Sequence, residues 1–411
     1  MSIITRYVDN NKFNTTLINF VFQFKCDKSE IMAHSILCRL LSFTNGIFKE
    51  EDAFARAKLN NYVMNYNVMC QSINDVSFVN FSLLIPNEGV VDDFKIEDSI
   101  KFLLDSIYIP NIENGLYDKK LFEREKRLYT ENILNNYKNV GFIAEKNMLD
   151  LLDKDGIFNK IKYKDLENIG NLSNSDVVDF YNKYIKNVKP LVFVNGKTNI
   201  KRIEKVIDRY ISKMDLMDQV LITDYNNFYN NDILIDETEH SDFFQSIVYM
   251  VYSIKDYSVS DFYKLYLINL ILSSSSSDLL LYNLRKKNNL VYACGSSALL
   301  KNGLLMVKAI TSKKNIKLAK MVIEDVMNSL KDIDKYKDNI GNIMYRLSLN
   351  LEREKDDFYV CTSNIINEYF KSDITSEEEF DIISNIEKDD LLDVINRIEL
   401  KCMYTLEGNR E

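Results

Sequence analysis

The stretch from Ser273 to Ser297 constrains the fold of this chain more than any other part of the sequence. It opens with a serine run, in which Ser277 or Asp278 is suited to cap the start of a helix. Apolar residues then recur at the spacing of one helix face. They are Leu280, Leu281 and Leu284, with Arg285 beside them. The pattern predicts a helix that starts just after the serines and packs its leucines into a core.

The predicted helix is expected to end in a tight turn and to lead into a strand. Asn288 and Asn289 favour a turn, and the following Leu-Val-Tyr-Ala, residues 290–293, is typical of a strand. Arg285 therefore lies near the helix end, and Tyr292 lies on the strand seven positions later. A guanidinium and a phenol on one rigid corner can both donate hydrogen bonds to backbone carbonyls of an extended peptide.

Length and composition indicate a globular chain with more than one domain. The 411 residues exceed the usual size of one domain, and 46% hydrophobic with 27% charged residues is the ordinary balance of such chains. The net charge of -9 comes from interspersed acidic and basic residues, which argues against a nucleic-acid partner. No segment approaches the ~20 apolar residues of a membrane helix, so no membrane partner is expected. The N-terminal segment has no apolar core of a secretory signal.

Cysteine and histidine usage limits the possible metal chemistry. The six cysteines show no Cys-x-x-Cys spacing, and free thiols in a reducing compartment explain them best, so we expect a cytoplasmic protein. The chain has only two histidines, His34 and His240, so a zinc site must combine one of them with cysteines or carboxylates. His240 lies among acidic residues and is expected to be solvated.

Hydrophobic periodicity predicts an α+β chain of two units with a shared order of elements. Each unit is expected to run strand, helix, strands, long helices, helix and final strand. The first unit covers residues 1–215, a polar Asn- and Asp-rich linker covers 216–239, and the second unit covers 240–411. Strands are predicted at 15–26, 66–72, 76–85, 190–194, 245–252, 290–293, 304–310 and 401–407. Helices are predicted at 31–43, 51–63, 96–108, 118–137, 173–184, 200–214, 260–272, 315–330, 336–358, 360–370 and 388–398.

Residues 284–292 resemble the signature of the C-terminal domain of the M16 (pitrilysin-type) metallopeptidases, Leu-Arg-Glu-Lys-x-Gly-Leu-x-Tyr. The leucine, arginine and tyrosine match in spacing, although serines stand where the family has glycines before the helix. Residues 173–181 and 191–196 resemble a second family stretch, in which a helix with Asp-Val-x-x-Phe-Tyr precedes a strand ending in Gly-Asp. The resemblance implies two homologous α/β sandwich domains, each a mostly antiparallel sheet with helices packed on it, joined by a linker.

Active members of this family carry His-x-x-Glu-His on their first helix. Two imidazoles at that spacing face one side of a helix and bind zinc, and the glutamate activates the zinc-bound water. By resemblance, His34 matches the first histidine, Leu37 replaces the glutamate and Cys38 replaces the second histidine. Leucine cannot move a proton, whereas a Cys38 thiolate could ligate a metal from the same helix face as His34.

The family's distal zinc ligand lies seven residues after a supporting glutamate on a later helix. Glu125 matches the supporting glutamate, and Asn132 stands at the ligand position. Glu131 is one residue away and faces about 100° from that position on a helix. The resemblance therefore implies that this chain has no catalytic residues of its own and binds no metal.

What remains of the family pattern implies a non-catalytic subunit. In the family, Arg285 and Tyr292 correspond to the pair that grips the substrate backbone. The expected partners are an active M16 subunit, which carries His-x-x-Glu-His and the zinc, and a peptide or protein substrate. One alternative is a non-proteolytic scaffold or peptide-binding module of the same fold. Another is a stand-alone zinc protease that uses His34, Cys38 and Glu131.

Overall fold

The computed structural model describes residues 3–156, 158–224, 226–273, 278–370 and 374–409. It contains two compact units, and each is assembled from separate segments of the chain. The first unit takes the described parts of 1–134, 163–225 and 357–373. The second unit takes those of 135–162, 226–356 and 374–411.

The elements up to residue 211 are, in chain order, β1 (Ile4–Val8), β2 (Thr15–Lys25), α1 (Ile31–Leu40), α2 (Glu51–Asn60), β3 (Asn65–Ile73), β4 (Val76–Pro86), α3 (Ile96–Tyr108), β5 (Ile112–Glu113), β6 (Leu116–Tyr117), α4 (Lys119–Asn136), α5 (Val140–Leu152), α6 (Leu166–Asn171), α7 (Asn174–Tyr184), β7 (Leu191–Asn195) and α8 (Ile200–Ile211). The later elements are β8 (Ile235–Ser241), β9 (Ser246–Ile254), α9 (Phe262–Ser273), a π-helix (Leu281–Lys287), β10 (Val291–Leu299), β11 (Leu304–Thr311), α10 (Ile316–Ser329), α11 (Lys337–Glu354), α12 (Phe358–Phe370), α13 (Ser376–Ser384), α14 (Lys388–Asn396) and β12 (Ile398–Gly408).

The first unit is built on a five-stranded sheet in the order β1-β7-β2-β4-β3. Strand β1 runs parallel to β7, and the other neighbours are antiparallel. The middle strand, β2, is buried from residue 16 to residue 24, so both of its faces need a covering layer. Helices α1 and α3 pack on β3 and β4. Helix α12 packs Ile365 and Phe370 against Val21 and Phe193 of the sheet.

The second unit repeats this topology. Its sheet has the order β10-β11-β9-β12-β8, in which β8 is parallel to β12 and the other neighbours are antiparallel. All nine residues of β9 are buried. One face carries a large apolar core with α9, α10 and α14, and the other is covered by α5 through Ala144, Met148 and Leu149.

The predicted fold class is confirmed, since both units combine a mostly antiparallel sheet with packed helices. Most predicted elements also agree to within a few residues, and the helix at 96–108 agrees at both ends. Ser173 caps α7 by accepting a hydrogen bond from the Asp176 N–H.

Several elements escaped the sequence analysis. Residues 235–241 form β8, and the first five of them, 235–239, were assigned to the linker. The helix expected at 280–285 is a π-helix, and the strand expected at 290–293 extends to Leu299. The unpredicted elements include β1, α6 and α13. The boundaries 1–215, 216–239 and 240–411 stay a prediction for the repeated sequence units, because the compact units divide the chain differently.

A search of the described helices finds none with the length and apolarity that crossing a bilayer requires.

Alanine substitutions at two glycines should change the free energy of unfolding in opposite directions. Gly196 follows β7 with a φ of +144°, and a Cβ there would lie 2.7 Å from the Thr16 Cα. Gly341 lies in the interior of α11 with nothing within 4 Å of an added Cβ. We expect Gly196→Ala to destabilise the fold by more than about 1 kcal/mol. Gly341→Ala should stabilise it by about 0.5–1 kcal/mol, since alanine favours the helix. Urea denaturation of both variants checks this, and equal shifts would contradict it.

Candidate functional site

The segment that carries Arg285 starts at a capped turn and continues as a π-helix. The buried carboxylate of Asp278 accepts a hydrogen bond from the Leu281 N–H at 2.6 Å, so Asp278 does cap this segment. The other predicted cap, Ser277, lies outside the described residues. Leu284 is fully buried in the core of the second unit, as its spacing predicts. Single π-helical turns are rare and occur frequently at functional sites.

Tyr292 lies at a β-bulge where β10 begins. Asn289 closes the preceding turn with a φ of 50°. Val291 pairs with Thr311 and Ala293 pairs with Ile310, so Tyr292 is the extra residue on its strand. Bulges turn side chains away from the regular pleat and are common beside active sites.

Arg285 and Tyr292 both reach solvent. Tyr292 is 49% exposed, and Arg285 is also exposed. The charge of Arg285 acts on Cys294, two residues beyond Tyr292 on β10. Burial and the Asp278 carboxylate raise the pKa of the Cys294 thiol to about 11, and the Arg285 guanidinium opposes that rise. The predicted pair therefore belongs to one surface region of the second unit, while its role in substrate binding stays a prediction.

A cleft of about 340 Å³ lies beside β10 in the same unit. It is lined by residues 293–297 of β10 and by Glu145, Tyr249 and Lys308, among others. Strand β10 is an edge strand of its sheet, paired only with β11 among the described strands. An edge strand presents a row of N–H and C=O groups to which an extended peptide can add.

His34, the first residue of the altered zinc motif, is a firmly held buried side chain on α1. It is 3% exposed, and its Nε2 lies 3.1 Å from the carbonyl oxygen of Phe78. The ring stacks on Phe180 with 5.5 Å between centroids, and it meets Phe24 edge-on at 5.6 Å. The imidazole therefore has a fixed position and orientation.

Cys70 joins His34 and Cys38 in one cluster. One ligand atom from each of the three side chains lies within 4.8 Å of the others. Hydrogen bonding from Cys38 lowers the pKa of the Cys70 thiol, and the positive charge of Lys164 lowers it further. Burial raises the pKa of the Cys38 thiol. The sequence analysis missed Cys70, because no spacing rule relates a residue of β3 to the helix motif.

Leu37, which the resemblance aligns with the catalytic glutamate, is fully buried and belongs to the core. Its side chain has no group that could accept or donate a proton. At the position that the resemblance assigns to the general base, this chain therefore has a packing residue.

The distal helix, α4, does not complete a zinc site either. Glu125 is 1% exposed, and it accepts hydrogen bonds from Arg39 and Arg124 at 2.9 Å each. Asn132 is exposed, and Glu131 is exposed and paired with Arg127 at 2.8 Å. The carboxylate nearest the expected ligand position thus has another partner on its own helix.

The residues present do not fit the zinc site of an active M16 peptidase. That site needs a glutamate base and a carboxylate ligand. In the part of the chain that the structure describes, the grouped candidate ligands are His34, Cys38 and Cys70, without a carboxylate. This arrangement does not support a stand-alone protease that uses Glu131. His240 is also remote from such a role, since it is 74% exposed and lies 3.1 Å from the Glu407 carboxylate.

Comparison with known families gives a match over residues 171–338, to the family described as the peptidase M16 inactive domain. The matched residues include the segment from Arg285 to Tyr292. No curated protein matches the chain.

Solved structures share the fold over nearly the whole chain. A conserved protein from Enterococcus faecalis V583 is 17% identical with a TM-score of 0.90, a protease from Helicobacter pylori is 12% identical with 0.76, and a peptidase M16 inactive domain from Pseudomonas fluorescens is 12% identical with 0.73. Each comparison covers 98% of this chain and 96% of the other. The protein therefore has an M16-like fold. The matched inactive domain supports the M16 family for this chain, and it is consistent with a non-catalytic member.

The reactivity of the Cys294 thiol can test whether the Arg285 guanidinium acts on it electrostatically. Replacing Arg285 with glutamine should raise the pKa of this thiol further and slow its alkylation at about pH 9 roughly two-fold, since the thiolate is the reactive form. Peptide mapping by mass spectrometry after timed iodoacetamide treatment measures the rate. Lys287→Gln, in the same exposed turn, serves as the control. Equal slowing by both substitutions would contradict a specific action of Arg285.

The Glu125 carboxylate should stabilise the first unit. Glu125→Gln is expected to lower the free energy of unfolding by about 1–3 kcal/mol, because two arginines lose a buried anionic acceptor. The exposed pair of Glu131 and Arg127 gives the matched control, and Glu131→Gln should change stability by less than about 0.5 kcal/mol. Urea denaturation of both variants measures the difference. A Glu125 variant as stable as its control would argue against the assigned role.

Proposed function

We propose that this chain is the non-catalytic subunit of a heterodimeric M16-type zinc peptidase that processes peptides or proteins in the cytoplasm. In this assembly Arg285 and Tyr292 hold the substrate backbone, and the partner subunit supplies the zinc and the His-x-x-Glu-His motif. The proposal is supported by the M16-like fold, by the match to the inactive domain and by Leu37 in place of a base.

One observation carries the proposal most directly: Arg285 and Tyr292 are exposed although the residue before each of them is buried in the core. Leu284 precedes the arginine and is fully buried, and Val291 precedes the tyrosine and is also buried. Arginine is exposed in most proteins, so the half-exposed aromatic ring of Tyr292 is the more informative of the two. A guanidinium and a phenol in solvent, beside a bulged edge strand, are available to a ligand.

The chemistry of the pair suits an extended peptide. Arginine and tyrosine both donate hydrogen bonds, and carbonyl oxygens of a peptide accept them. When the scissile carbonyl is attacked, its oxygen gains negative charge, and donors aimed at it stabilise the transition state. The permanently charged guanidinium is the stronger donor of the two. The open edge of β10 and its cleft offer backbone partners to the rest of the peptide.

Sequence resemblance suggests where a partner and substrate can be sought. Within the family, we propose a functional relationship to the inactive M16 protein associated with aminopentanol modification of translation elongation factor P, which is usually paired with an active M16 partner. Maturation of ribosomally made peptides, in which inactive M16 subunits also take part, is the second substrate class to test.

The proposal predicts activity that appears only on mixing. The full chain, combined with an M16 protein from its genomic neighbourhood that carries His-x-x-Glu-His, should cleave fluorogenic peptides faster than either protein alone. Arg285→Ala should reduce the rate of the mixture by roughly 10²-fold or more, as expected for losing one transition-state donor. Tyr292→Phe should reduce it less, since only one hydroxyl is lost. Steady-state kinetics at fixed partner concentration measure these effects.

Lys287→Ala is the matched control, since Lys287 is an exposed cation in the same turn. The Arg285→Ala and Tyr292→Phe variants should keep the melting temperature of the original protein, because both side chains are exposed. Mixing without any gain in cleavage, or full activity after loss of Arg285, would count against the peptidase role. Full function with both residues replaced, together with a lower melting temperature, would favour the non-proteolytic scaffold.

A further inference from the structure

The cluster of His34, Cys38 and Cys70 brings together three side chains that are strong ligands for soft divalent metals. Cys38 follows His34 by one helical turn on α1, and Cys70 comes from the edge strand β3. One donor atom from each lies within 4.8 Å of the other two. For comparison, two thiolates bound to one tetrahedral zinc lie about 3.8 Å apart. Closure around an ion therefore requires each donor to move by about one ångström or less.

One ring nitrogen of His34 is held by a backbone carbonyl, as is common for metal-binding histidines. Its Nε2 lies 3.1 Å from the Phe78 carbonyl oxygen, which can only accept, so Nε2 carries the proton and donates it. The lone pair of the neutral ring then belongs to Nδ1. Metal-binding histidines characteristically donate their other ring N–H to a carbonyl or carboxylate in this way, which fixes the tautomer. The stacking contact with Phe180 and the edge contact with Phe24 fix the plane of the ring.

We propose that His34, Cys38 and Cys70 bind zinc in the first unit, that water completes the tetrahedral coordination, and that the role of the ion is structural. The ligand set differs from that of the active M16 site, because Cys38 takes the place of a histidine and Cys70 belongs to a strand outside the family motif. It also departs from the expectation that this chain binds no metal. The inference is independent of the proposed peptide-binding role, which concerns the second unit.

Charge balance favours a doubly charged ion at this position. Binding requires both cysteines as thiolates, so a Zn²⁺ ion displaces two protons from them to solvent. The product combines one neutral imidazole, two negative thiolates and a dication, and its net charge is zero. His34 and Cys38 are each 3% exposed, and a neutral complex avoids the cost of burying a net charge. A monovalent Cu⁺ on the same ligands would leave one negative charge in the interior.

The site would have a mechanical role rather than a hydrolytic one. Leu37, on the same helix, offers no proton-accepting group. Strand β3 is an edge strand that pairs only with β4 among the described strands. An ion shared by α1 and Cys70 would therefore join the outermost strand of the sheet to the helix packed on it. This added connection should raise the melting temperature of the loaded protein.

Metal binding by the reduced, full-length chain tests the site directly. After chelator treatment and desalting, we expect one Zn²⁺ per chain to be retained in competition with a chromophoric chelator. Co²⁺ should bind in its place and give the intense near-ultraviolet absorption of thiolate-to-cobalt charge transfer. Zinc should also raise the melting temperature. Failure of the reduced chain to hold stoichiometric Zn²⁺ or Co²⁺ would overturn the inference.

Two cysteine variants test whether the metal binds at this site or at other thiols. Cys70→Ser should abolish the cobalt charge-transfer band and lower zinc retention at least ten-fold. Cys361→Ser removes a partly buried thiol elsewhere in the first unit and should leave both unchanged. Equal metal binding by Cys70→Ser and the original chain would assign the ion to a different place and reject the proposal.

A measurement on the unsubstituted protein guards against variants that fail to fold. Zn²⁺ should slow iodoacetamide alkylation of Cys70 at least ten-fold, whereas Cys361 and Cys294 should react at the same rate with and without zinc. Alkylation of Cys70 that proceeds equally fast in saturating Zn²⁺ would contradict its role as a ligand. None of these readouts depends on peptide cleavage, so the zinc site and the proposed function are tested independently.

Discussion

The fold depends on two strands that are buried on both faces. Strand β9 is buried along its whole length, and β2 is buried from residue 16 to residue 24. Such a strand is stable only when a covering layer excludes water from each side of its sheet. Among the described residues, each unit meets this requirement with helices on both faces of its sheet. Helix α12 covers one face of the first sheet, and α5 covers one face of the second.

Sequence patterns predicted the parts of the fold that face a core. The helix at 96–108 is strongly amphipathic, and β9 is an unbroken apolar run, so both are evident without a structure. Two of the missed strands, β1 and β8, are the outermost strands next to β7 and β12. Residues 235–241 are largely exposed and acidic, so neither alternation nor apolarity marks them. Their strand conformation comes from parallel pairing with β12, a contact between residues far apart in the chain.

The two candidate sites were predictable only where their residues belong to one local motif. Arg285 and Tyr292 lie within one local motif, so their spacing alone placed them on a helix and a strand. The bulge that sets the position of Tyr292 depends on pairing with β11, which the motif does not encode. The place of Cys70 in the cluster could not be predicted for a similar reason, because its neighbours on α1 are close in space and not in sequence. The shared topology makes β3 the counterpart of β10, so each unit places its candidate site at an equivalent edge of its sheet.

Helix α12 also imposes an order on how the chain can be built. The sheet that begins at Ile4 is completed by Ile365 and Phe370, which pack against Val21 and Phe193. Translation runs from the N-terminus, and Phe370 follows Val21 by 349 residues, so the ribosome makes α12 long after the strands it covers. Until α12 is made, one face of the nascent sheet exposes apolar residues, and such surfaces promote aggregation. The first unit can therefore complete its core only after the intervening residues of the second unit have been synthesised.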